Sequence, residues 1–293
     1  VKLVKELSFK IKYYYFMESK ELSIVIVTFK SEAKIYRCLD SIPGDISVII
    51  VENSNNENFK RNIENKYHNV KCILSGDNKG YAIANNIGLN NVITKYALVL
   101  NPDTELDKNA IKNFFVTAEK IKNFWLLGPG NDQQVITNFN TGSIIEVDNL
   151  KGFAIFFNLS KFNKKFFDEN YFLYFEEIDL CKNVKKNNGK IYLDNNIIVS
   201  HEGSGSVDKN NKEELEKNRN WHWMWSTFYY HKKYNGFLIA LIIILPKLTT
   251  SFFKTIFYLL IFNKNKRDIY FHRLSGILNS ILGKKSWHRP ALD

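Results

Sequence analysis

Short apolar runs that alternate with helix-like segments constrain the fold of this chain more than any other feature. The runs are rich in branched and aromatic side chains and lie at residues 22–28, 46–51, 70–74, 96–100 and 124–127. Between them the apolar residues follow helical spacing, as in Ile35, Leu39 and Ile42. Continuous apolar strands that alternate with helices of about a dozen residues predict an α/β fold, with a mostly parallel sheet covered by helices on both faces.

Polar turns follow four of the predicted strands. Their polar and acidic members include Thr28, Glu52, Asn55, Asp77, Asn101 and Asp103. Ligands bind at the carboxyl ends of parallel strands. There, carboxylates can accept hydrogen bonds from a base or a ribose, and a metal-bound aspartate can neutralise a diphosphate. The chain has neither G-x-G-x-x-G nor G-x-x-x-x-G-K-[ST], which excludes a Rossmann dinucleotide site and a P-loop. Each turn alone is also typical of an ordinary loop, so the prediction of a nucleotide site depends on all four sharing one edge.

Five segments together resemble glycosyltransferase family 2, in particular its bacterial rhamnosyltransferase-like branch. They read LSIVIVTFKS, VIIVENSN, NKGYAIANNIG, YALVLNPDTEL and FDENYFLYFEEIDLCKNVKKNNGKIYLDNNIIVSHEGSGS, and they extend from Leu22 to Ser206. The resemblance implies a GT-A fold, a nucleoside-diphosphate-sugar donor, a divalent cation (Mg²⁺ or Mn²⁺) and inversion at the anomeric carbon.

The resemblance also assigns roles to residues of the donor site. Thr28 and Glu52 are expected to contact the nucleotide, with Asn55 and Asp77 in the same group of loops. Two further amides, Asn85 and Asn86, match a pair that orders the nucleotide loop. Asn101 stands where many members have the first aspartate of a metal motif, and Asp103 corresponds to its last acid. One fewer carboxylate implies a weakly held metal, whose octahedral shell the donor diphosphate completes.

A second acidic segment is expected to supply the catalytic base. Glu177 matches the position of the base, which is usually aspartate, and Glu176 or Asp179 could share its role. The alternative is an acidic helix N-terminus favoured by the helix dipole. His201 is expected to complete the metal site, while the glycine-serine loop at 203–206 closes over the diphosphate. The acids at 52, 103 and 177 should therefore surround one cation-bridged pyrophosphate.

The positive charge is concentrated in the last part of the chain. The net charge is +11, of which residues 231–293 carry +9. The same segment contains the apolar runs 237–245 and 256–262, separated by Pro246 and polar residues. Because central lysines are costly in a bilayer, two shorter helices lying in the membrane interface are expected, rather than one membrane span or a pair of core helices. The expected division is an extension at 1–20, a catalytic domain at 21–230 and a membrane-associating region at 231–293.

These features predict an inverting hexosyltransferase that is peripheral on the cytoplasmic side of the membrane. It would transfer a sugar from a UDP- or dTDP-linked donor to a hydroxyl of a lipid-linked saccharide during the assembly of surface polysaccharide. Nucleic acid is not an expected partner, because residues 1–230 are nearly neutral. The three cysteines form no C-x-x-C pair, which favours reduced thiols. The alternatives are a sugar nucleotidyltransferase, which would need a glycine-rich turn after the first strand, and a non-catalytic membrane or nucleic-acid adaptor.

Overall fold

A computed structural model of the chain describes residues 20–130, 144–202 and 212–289. The strands are β1 (Leu22–Thr28), β2 (Ser47–Glu52), β3 (Val70–Leu74), β4 (Tyr96–Leu100), β5 (Thr104–Leu106), β6 (Leu126–Pro129), β7 (Ile144–Glu146), β8 (Ala154–Asn158), β9 (Ile191–Asp194) and β10 (Val199–His201). The helices are α1 (Glu32–Asp40), α2 (Glu57–Lys66), α3 (Gly80–Asn90), α4 (Ala110–Ile121), α5 (Glu176–Lys186), α6 (Lys212–Asn235), α7 (Phe237–Leu260) and α8 (Lys264–Ile281). The predicted extension at 1–20, apart from Lys20, and the glycine-serine loop at 203–206 lie outside the described residues.

The chain divides into two compact units. The first unit consists of Val1–Asn78, Ala84–Phe167 and Leu180–Ser206. The second unit consists of Lys79–Ile83, Asp168–Asp179 and Val207–Asp293.

The first unit is built on an eight-stranded sheet in the order β3-β2-β1-β4-β8-β6-β9-β7. Strands β1 to β4 are parallel, so their carboxyl ends lie at one edge. In the other half β6 and β9 are parallel, whereas β8 and β7 run antiparallel to their neighbours. The predicted fold class, a mostly parallel sheet with helices, is confirmed. The antiparallel strands in the second half were not predicted.

Side chains of β1 alternate between two helical layers. Ile24 and Ile26 belong to a core cluster that also contains residues of α1, α2 and α4. Val25 points to the opposite face, where Gly88 of α3 approaches so closely that a Cβ there would lie 2.3 Å from a Val25 methyl. All three β1 side chains are fully buried. Burial of both faces explains why the strand is apolar without alternation.

The second unit contains the helices α6, α7 and α8. On α6 the side chains of Trp221 and Trp225, four residues apart, are buried, whereas Trp223 on the other side is 43% exposed. Gly276 of α8 packs on α6, and a Cβ at this position would lie 2.3 Å from the carbonyl oxygen of Trp221. The aromatic segment that begins at Trp221 therefore lies mainly in the core of this unit.

The segment from 237 to 260 is one continuous helix, so the prediction of two shorter helices was wrong. Pro246 lies inside α7 without ending it. Ala240, Ile244 and Ser251 are buried on both sides of the proline, and the helix packs along both α6 and α8. Packing of both halves offsets the hydrogen bond that proline removes, which costs a helix about 3 kcal/mol.

Most of the apolar surface of α7 is exposed within the second unit. Leu238 is 74% exposed, Ile242 71% and Phe253 66%. Among the described residues, α7 is the one helix that is long and apolar enough to cross a membrane, judged by length and composition. Such a large exposed apolar surface is typical of an interaction site.

Candidate active site

The carboxyl edge of β1 and β2 brings Thr28 and Glu52 side by side. The two residues are paired in the parallel register, and the Asn53 amide donates to the Thr28 carbonyl across 2.8 Å. Both side chains are only 2% exposed. The Thr28 hydroxyl is buried and has no hydrogen-bond partner among the described residues. A buried polar atom without a partner is costly, which makes this hydroxyl available to a ligand.

Glu52 organises the turn that follows β2. One carboxylate oxygen accepts hydrogen bonds from the backbone amide and hydroxyl of Ser54, and the other accepts from the Asn56 amide at 2.7 Å. Asn56 in turn caps α2, since its side chain accepts from the Phe59 amide. Asn55 is exposed in a left-handed conformation at φ 59°. The Glu52 carboxylate therefore shapes this loop, and its remaining lone pairs are what it can offer to a nucleotide.

The predicted residues that follow β3 lie in different environments. Asp77 is exposed, and its carbonyl accepts from the Ser75 hydroxyl at 2.6 Å. Asn85 and Asn86 are buried in α3. The Asn86 amide group both donates to the Phe167 carbonyl and accepts from the Phe167 amide, at 2.9 and 3.0 Å. These bonds fix the chain at Phe167, a structural role that the sequence did not indicate.

Asp103 and His201, the two predicted metal ligands, lie next to each other. Strand β10 runs antiparallel to β5, with His201 opposite Thr104. This register places His201 Nε2 3.3 Å from an Asp103 carboxylate oxygen and 3.5 Å from the Asn101 amide nitrogen. The hydrogen bond with His201 lowers the pKa of Asp103. The imidazole also stacks on Phe153, with ring centres 4.8 Å apart, which fixes its plane.

The Asp103–His201 pair could supply only some of the ligands that a divalent cation needs. Within the described ranges, no group of three histidine, cysteine, aspartate or glutamate side chains could hold a metal. Asp103 and His201 supply one oxygen and one nitrogen, and the carboxylate is ionised at neutral pH because its pKa is lowered. A six-coordinate cation held by two protein ligands needs its other positions filled by water or by substrate oxygens. The donor set therefore fits a cation that arrives with a diphosphate.

Two cations that the sequence analysis missed lie beside this pair. Lys34 and Arg37 of α1 each contact one carboxylate oxygen of Glu202 at 2.9 Å. Together with Asp103 and His201 they line a cavity of about 400 Å³ in the first unit. The signal was present in the sequence, since basic residues three apart on the helix after β1 share a helix face.

The second unit holds the predicted catalytic acids at the start of α5. Glu176, Glu177 and Asp179 all lie in its first turn. The two residues before it, Tyr174 and Phe175, have left-handed backbones with φ of 69° and 72°. Such conformations are strained for aromatic residues and cluster at functional sites.

Burial raises the pKa of both Glu176 and Glu177. Glu176 is 5% exposed, and one of its carboxylate oxygens has no hydrogen-bond partner among the described residues. Its pKa is raised well above the usual value by burial and by the neighbouring Glu177. Glu177 is half-buried, and its pKa is also raised by burial. A carboxylate with a raised pKa is suited to accept a proton from a substrate hydroxyl.

Asp179 forms an ion pair that the sequence analysis did not predict. Lys233 of α6 contacts both Asp179 oxygens at 2.7 and 2.8 Å, and Asp168 at 2.7 Å. Tyr171 donates to the Asp179 carboxylate and Tyr229 to that of Asp168. Although burial lowers the pKa of Lys233, its hydrogen bonds to the two carboxylates raise it overall. This network anchors to α6 the segment that carries the acids.

The family model described as "Glycosyl transferase family 2" matches residues 23–179. The chain belongs to this family. The match includes Thr28, Glu52, Asp103 and Glu177, whereas His201 lies beyond it. Family membership favours a sugar transferase over the nucleotidyltransferase and adaptor alternatives.

One curated relative is the low-salt glycan biosynthesis hexosyltransferase Agl10 of Haloferax volcanii. The two sequences are 27% identical over 195 residues, which cover 57% of this chain and 62% of the relative. The chain thus spans less than two thirds of the length of this relative.

Solved structures share the fold of this family 2 chain. A mannosyltransferase from Pyrobaculum calidifontis, in complex with GDP-Man and Mn²⁺, is 10% identical with a TM-score of 0.55, and the match covers 90% of this chain and 88% of that one. S. aureus TarS 1-349 in complex with UDP is 14% identical with a TM-score of 0.50, covering 93% and 94%. At these identities the likeness establishes the fold alone.

Proposed function

We propose that this family 2 chain transfers a hexose or deoxyhexose, with inversion, from a nucleoside-diphosphate sugar to a hydroxyl of a lipid-linked saccharide. The observation that carries the proposal is the Asp103–His201 pair, set by the register of β5 and β10 beside the carboxyl edge of the sheet. Support for the donor class comes from the two solved neighbours, which hold GDP-Man and UDP. A UDP- or dTDP-linked donor, as in the rhamnosyltransferase-like branch, is the specific form of this proposal.

The predicted site residues would act as the catalytic base, the metal ligands and the donor-binding residues. The acceptor oxygen attacks the anomeric carbon, its bond to that carbon forms as the bond to the diphosphate oxygen breaks, and Glu177 takes the hydroxyl proton. Asp103 and His201 would hold Mg²⁺ or Mn²⁺, which when bound stabilises the negative charge of the leaving diphosphate. Thr28, Glu52, Asn55, Asp77, Asn85, Asn86 and Asn101 are the proposed donor-site residues, and Glu176 supports Glu177.

A panel of nucleotide sugars tests the donor site directly. Purified protein is titrated by calorimetry with each nucleotide sugar of the panel in the presence of Mn²⁺. Asp103→Asn should weaken binding in Mn²⁺ by about tenfold or more, since one charged ligand is lost, and should have little effect in EDTA. Equal affinity of the wild type with and without Mn²⁺ would remove the metal from the proposal, and no binding of any nucleotide would remove the donor class.

The base is tested separately by turnover. Glu177→Gln keeps the side-chain shape but cannot take a proton, so donor affinity should be retained while kcat falls by about 10²-fold or more. Glu176→Gln is the matched control and should retain more activity. If Glu177→Gln turns over near the wild-type rate, another group is the base.

Membrane association is proposed from the exposed face of α7, with the chain peripheral on the cytoplasmic side. Leu238 and Ile242 are more than two-thirds exposed, and basic residues of the same segment would meet anionic headgroups at about 1 kcal/mol each. The double variant Leu238→Glu/Ile242→Glu should lose flotation with vesicles. Ile93→Glu is the matched control, because Ile93 is 98% exposed in the first unit and should not affect flotation.

A further inference from the structure

Three basic side chains lie along one seam between α7 and α8, and two of them contact Tyr270. Lys254 donates to the Tyr270 hydroxyl at 3.0 Å and lies 4.9 Å from its ring centre. The Arg273 guanidinium lies 5.5 Å from the same ring centre. Lys247 precedes Lys254 by seven residues, which is two helical turns, and therefore lies on the same side of α7. We call Lys247, Lys254, Tyr270 and Arg273 the cationic seam.

The positive charge of the cationic seam is not balanced within the part of the chain that the structure describes. No carboxylate there forms an ion pair with Lys247, Lys254 or Arg273, whereas Arg267 is paired with Asp268 nearby on α8. Arg273 Nε is buried and has no hydrogen-bond partner among the described residues. Burial and the charge of Arg273 lower the pKa of Lys247. Since like charges held together are unfavourable, an anion bound here would be stabilised by all three side chains.

Tyr270 adds a hydrogen-bond donor to the cationic seam. Its oxygen accepts from Lys254, so its own hydroxyl hydrogen is free for an acceptor. Tyr258 stacks on the Tyr270 ring with centres 5.6 Å apart and planes 12° apart, which holds the ring in place. Two compact donors, a guanidinium and a hydroxyl suit the several oxygens of a phosphate better than a single carboxylate.

The surroundings of the cationic seam indicate what the phosphate is attached to. Phe253 and Phe257 on α7 are 66% and 54% exposed, and Phe271 beside Tyr270 is 54% exposed. Exposed apolar side chains thus adjoin Lys254 and Tyr270 along the sequence of both helices, which a phosphate with apolar chains can use and a free ion cannot. A phosphate that carries apolar chains matches both the charges and the surface.

We propose that the cationic seam binds the phosphate group of a membrane lipid. The inference rests on the proposed membrane association of α7 and adds to it a defined headgroup site. General attraction between basic residues and an anionic surface depends only on charge density. A built site distinguishes instead between anionic lipids of equal charge, and it favours an exposed phosphate with several free oxygens.

The test compares two kinds of vesicle with the full chain. Phosphatidylcholine vesicles contain either phosphatidic acid or phosphatidylserine, adjusted to equal surface charge, and binding is measured by flotation. The wild type should bind phosphatidic-acid vesicles about tenfold more tightly, as expected for one charge-assisted hydrogen bond more. Lys254→Gln, and the double variant with Arg273→Gln, should lose this preference, whereas Lys254→Arg should retain it. The matched control Lys284→Gln/Lys285→Gln removes two exposed charges of the same unit and should lower binding to both vesicles alike.

Each other outcome contradicts the proposal. Equal binding of the wild type to both lipids, or an equal loss of preference in the control, would show a general charge effect. If the wild type binds inorganic phosphate in calorimetry but shows no preference for phosphatidic-acid vesicles, the site takes free phosphate rather than lipid. Nucleotide binding is measured on the same variants and should be unchanged whether or not the seam binds lipid. A failure of the lipid site is therefore distinguished from a failure of the proposed donor site. Circular dichroism of Lys254→Gln, an exposed position, verifies that the helices are intact.

Discussion

Removal of the Lys233 charge should destabilise the second unit and reduce turnover together. The ammonium group contacts three carboxylate oxygens of Asp168 and Asp179 at 2.7 to 2.8 Å. The Asp179 side chain is 3% exposed and that of Asp168 is 15% exposed. In Lys233→Met both carboxylates lose their cation while staying close to each other and to the hydroxyl of Tyr171.

The expected loss in the free energy of unfolding depends on how deeply the Lys233 ion pair is buried. Loss of one partner of a buried ion pair costs about 3–5 kcal/mol. The Lys233 side chain is 32% exposed, so water replaces part of the interaction, and we expect a loss of about 2–3 kcal/mol in the free energy of unfolding at pH 7. Lys233 lowers the pKa of Asp168 from 3.8 despite burial. Its contribution through Asp168 is therefore present above about pH 3.8 and is lost as the pH falls through the lowered value. Burial raises the pKa of Asp179 despite Lys233, so the contribution through Asp179 is lost at a higher pH, and the two proteins should converge in acid.

Urea unfolding monitored by tryptophan fluorescence measures this loss, since four of the five tryptophans lie in the second unit. Lys232→Met removes a neighbouring exposed charge and is the matched control, and Lys233→Arg should restore most of the stability. The pair variant Lys233→Met/Asp179→Asn should lose less than the sum of the single changes, because they share a contact. Additive losses, or equal stability of the Lys233 and Lys232 variants, would refute the reasoning.

The same network explains why turnover should change. The segment from Asp168 to Asp179 carries the left-handed residues Tyr174 and Phe175 directly before Glu176 and Glu177. Ser226 also holds this segment by donating to the Leu173 carbonyl at 3.0 Å. If Lys233 positions Glu177, the variant should have a lower kcat and a shifted acid limb of the pH–rate profile, while the KM of the donor is unchanged. A change in stability without a change in the pH profile would assign Lys233 a purely structural role.

Three further outcomes follow from single contacts. The acid limb of kcat/KM should lie above pH 4.5, because burial raises the pKa of Glu177; a limb at or below that value would contradict Glu177 as the base. Thr28→Val should weaken nucleotide binding in calorimetry without lowering the free energy of unfolding, since the buried hydroxyl has no partner among the described residues; a stability loss would show that the hydroxyl is already satisfied. Gly276→Ala should lower the unfolding free energy by about 1–3 kcal/mol, because the new Cβ meets the Trp221 carbonyl, whereas Gly44→Ala has space and should be near neutral.

The first half of the fold could be predicted because its signals are local. Strands β1, β3 and β4 coincide with the predicted apolar runs, since parallel strands buried on both faces are apolar at every position. Strand β8 escaped prediction although it lies between β4 and β6. Its place depends on antiparallel pairing with distant residues, as Tyr96 pairs with Asn158, 62 positions away, and no local pattern reports such a partner.

In helix α7 the local sequence favours a break, but packing keeps the helix continuous. Proline and lysine inside an apolar run argue for a break. Yet Ala240 and Ile244 before Pro246, and Ser251 after it, are all buried, so both halves are fixed against the same neighbours. Local propensity is a weak determinant once both sides of a weak point are packed.

The candidate site also contains residues that could be predicted from local sequence and residues that could not. Thr28 and Glu52 end β1 and β2, and Asp103 follows β4, so all three could be predicted as residues of one edge. His201 entered only through the resemblance, since it lies 98 positions after Asp103 and is brought to it by the β5–β10 register. Lys233 was not predicted at all. Its function depends on three oxygens from two distant aspartates, and a lysine on a helix looks the same in sequence whether it faces water or a buried carboxylate. The side chains proposed to bind the donor can thus be recognised from a sequence more readily than a side chain such as Lys233, which holds the surrounding segment in place.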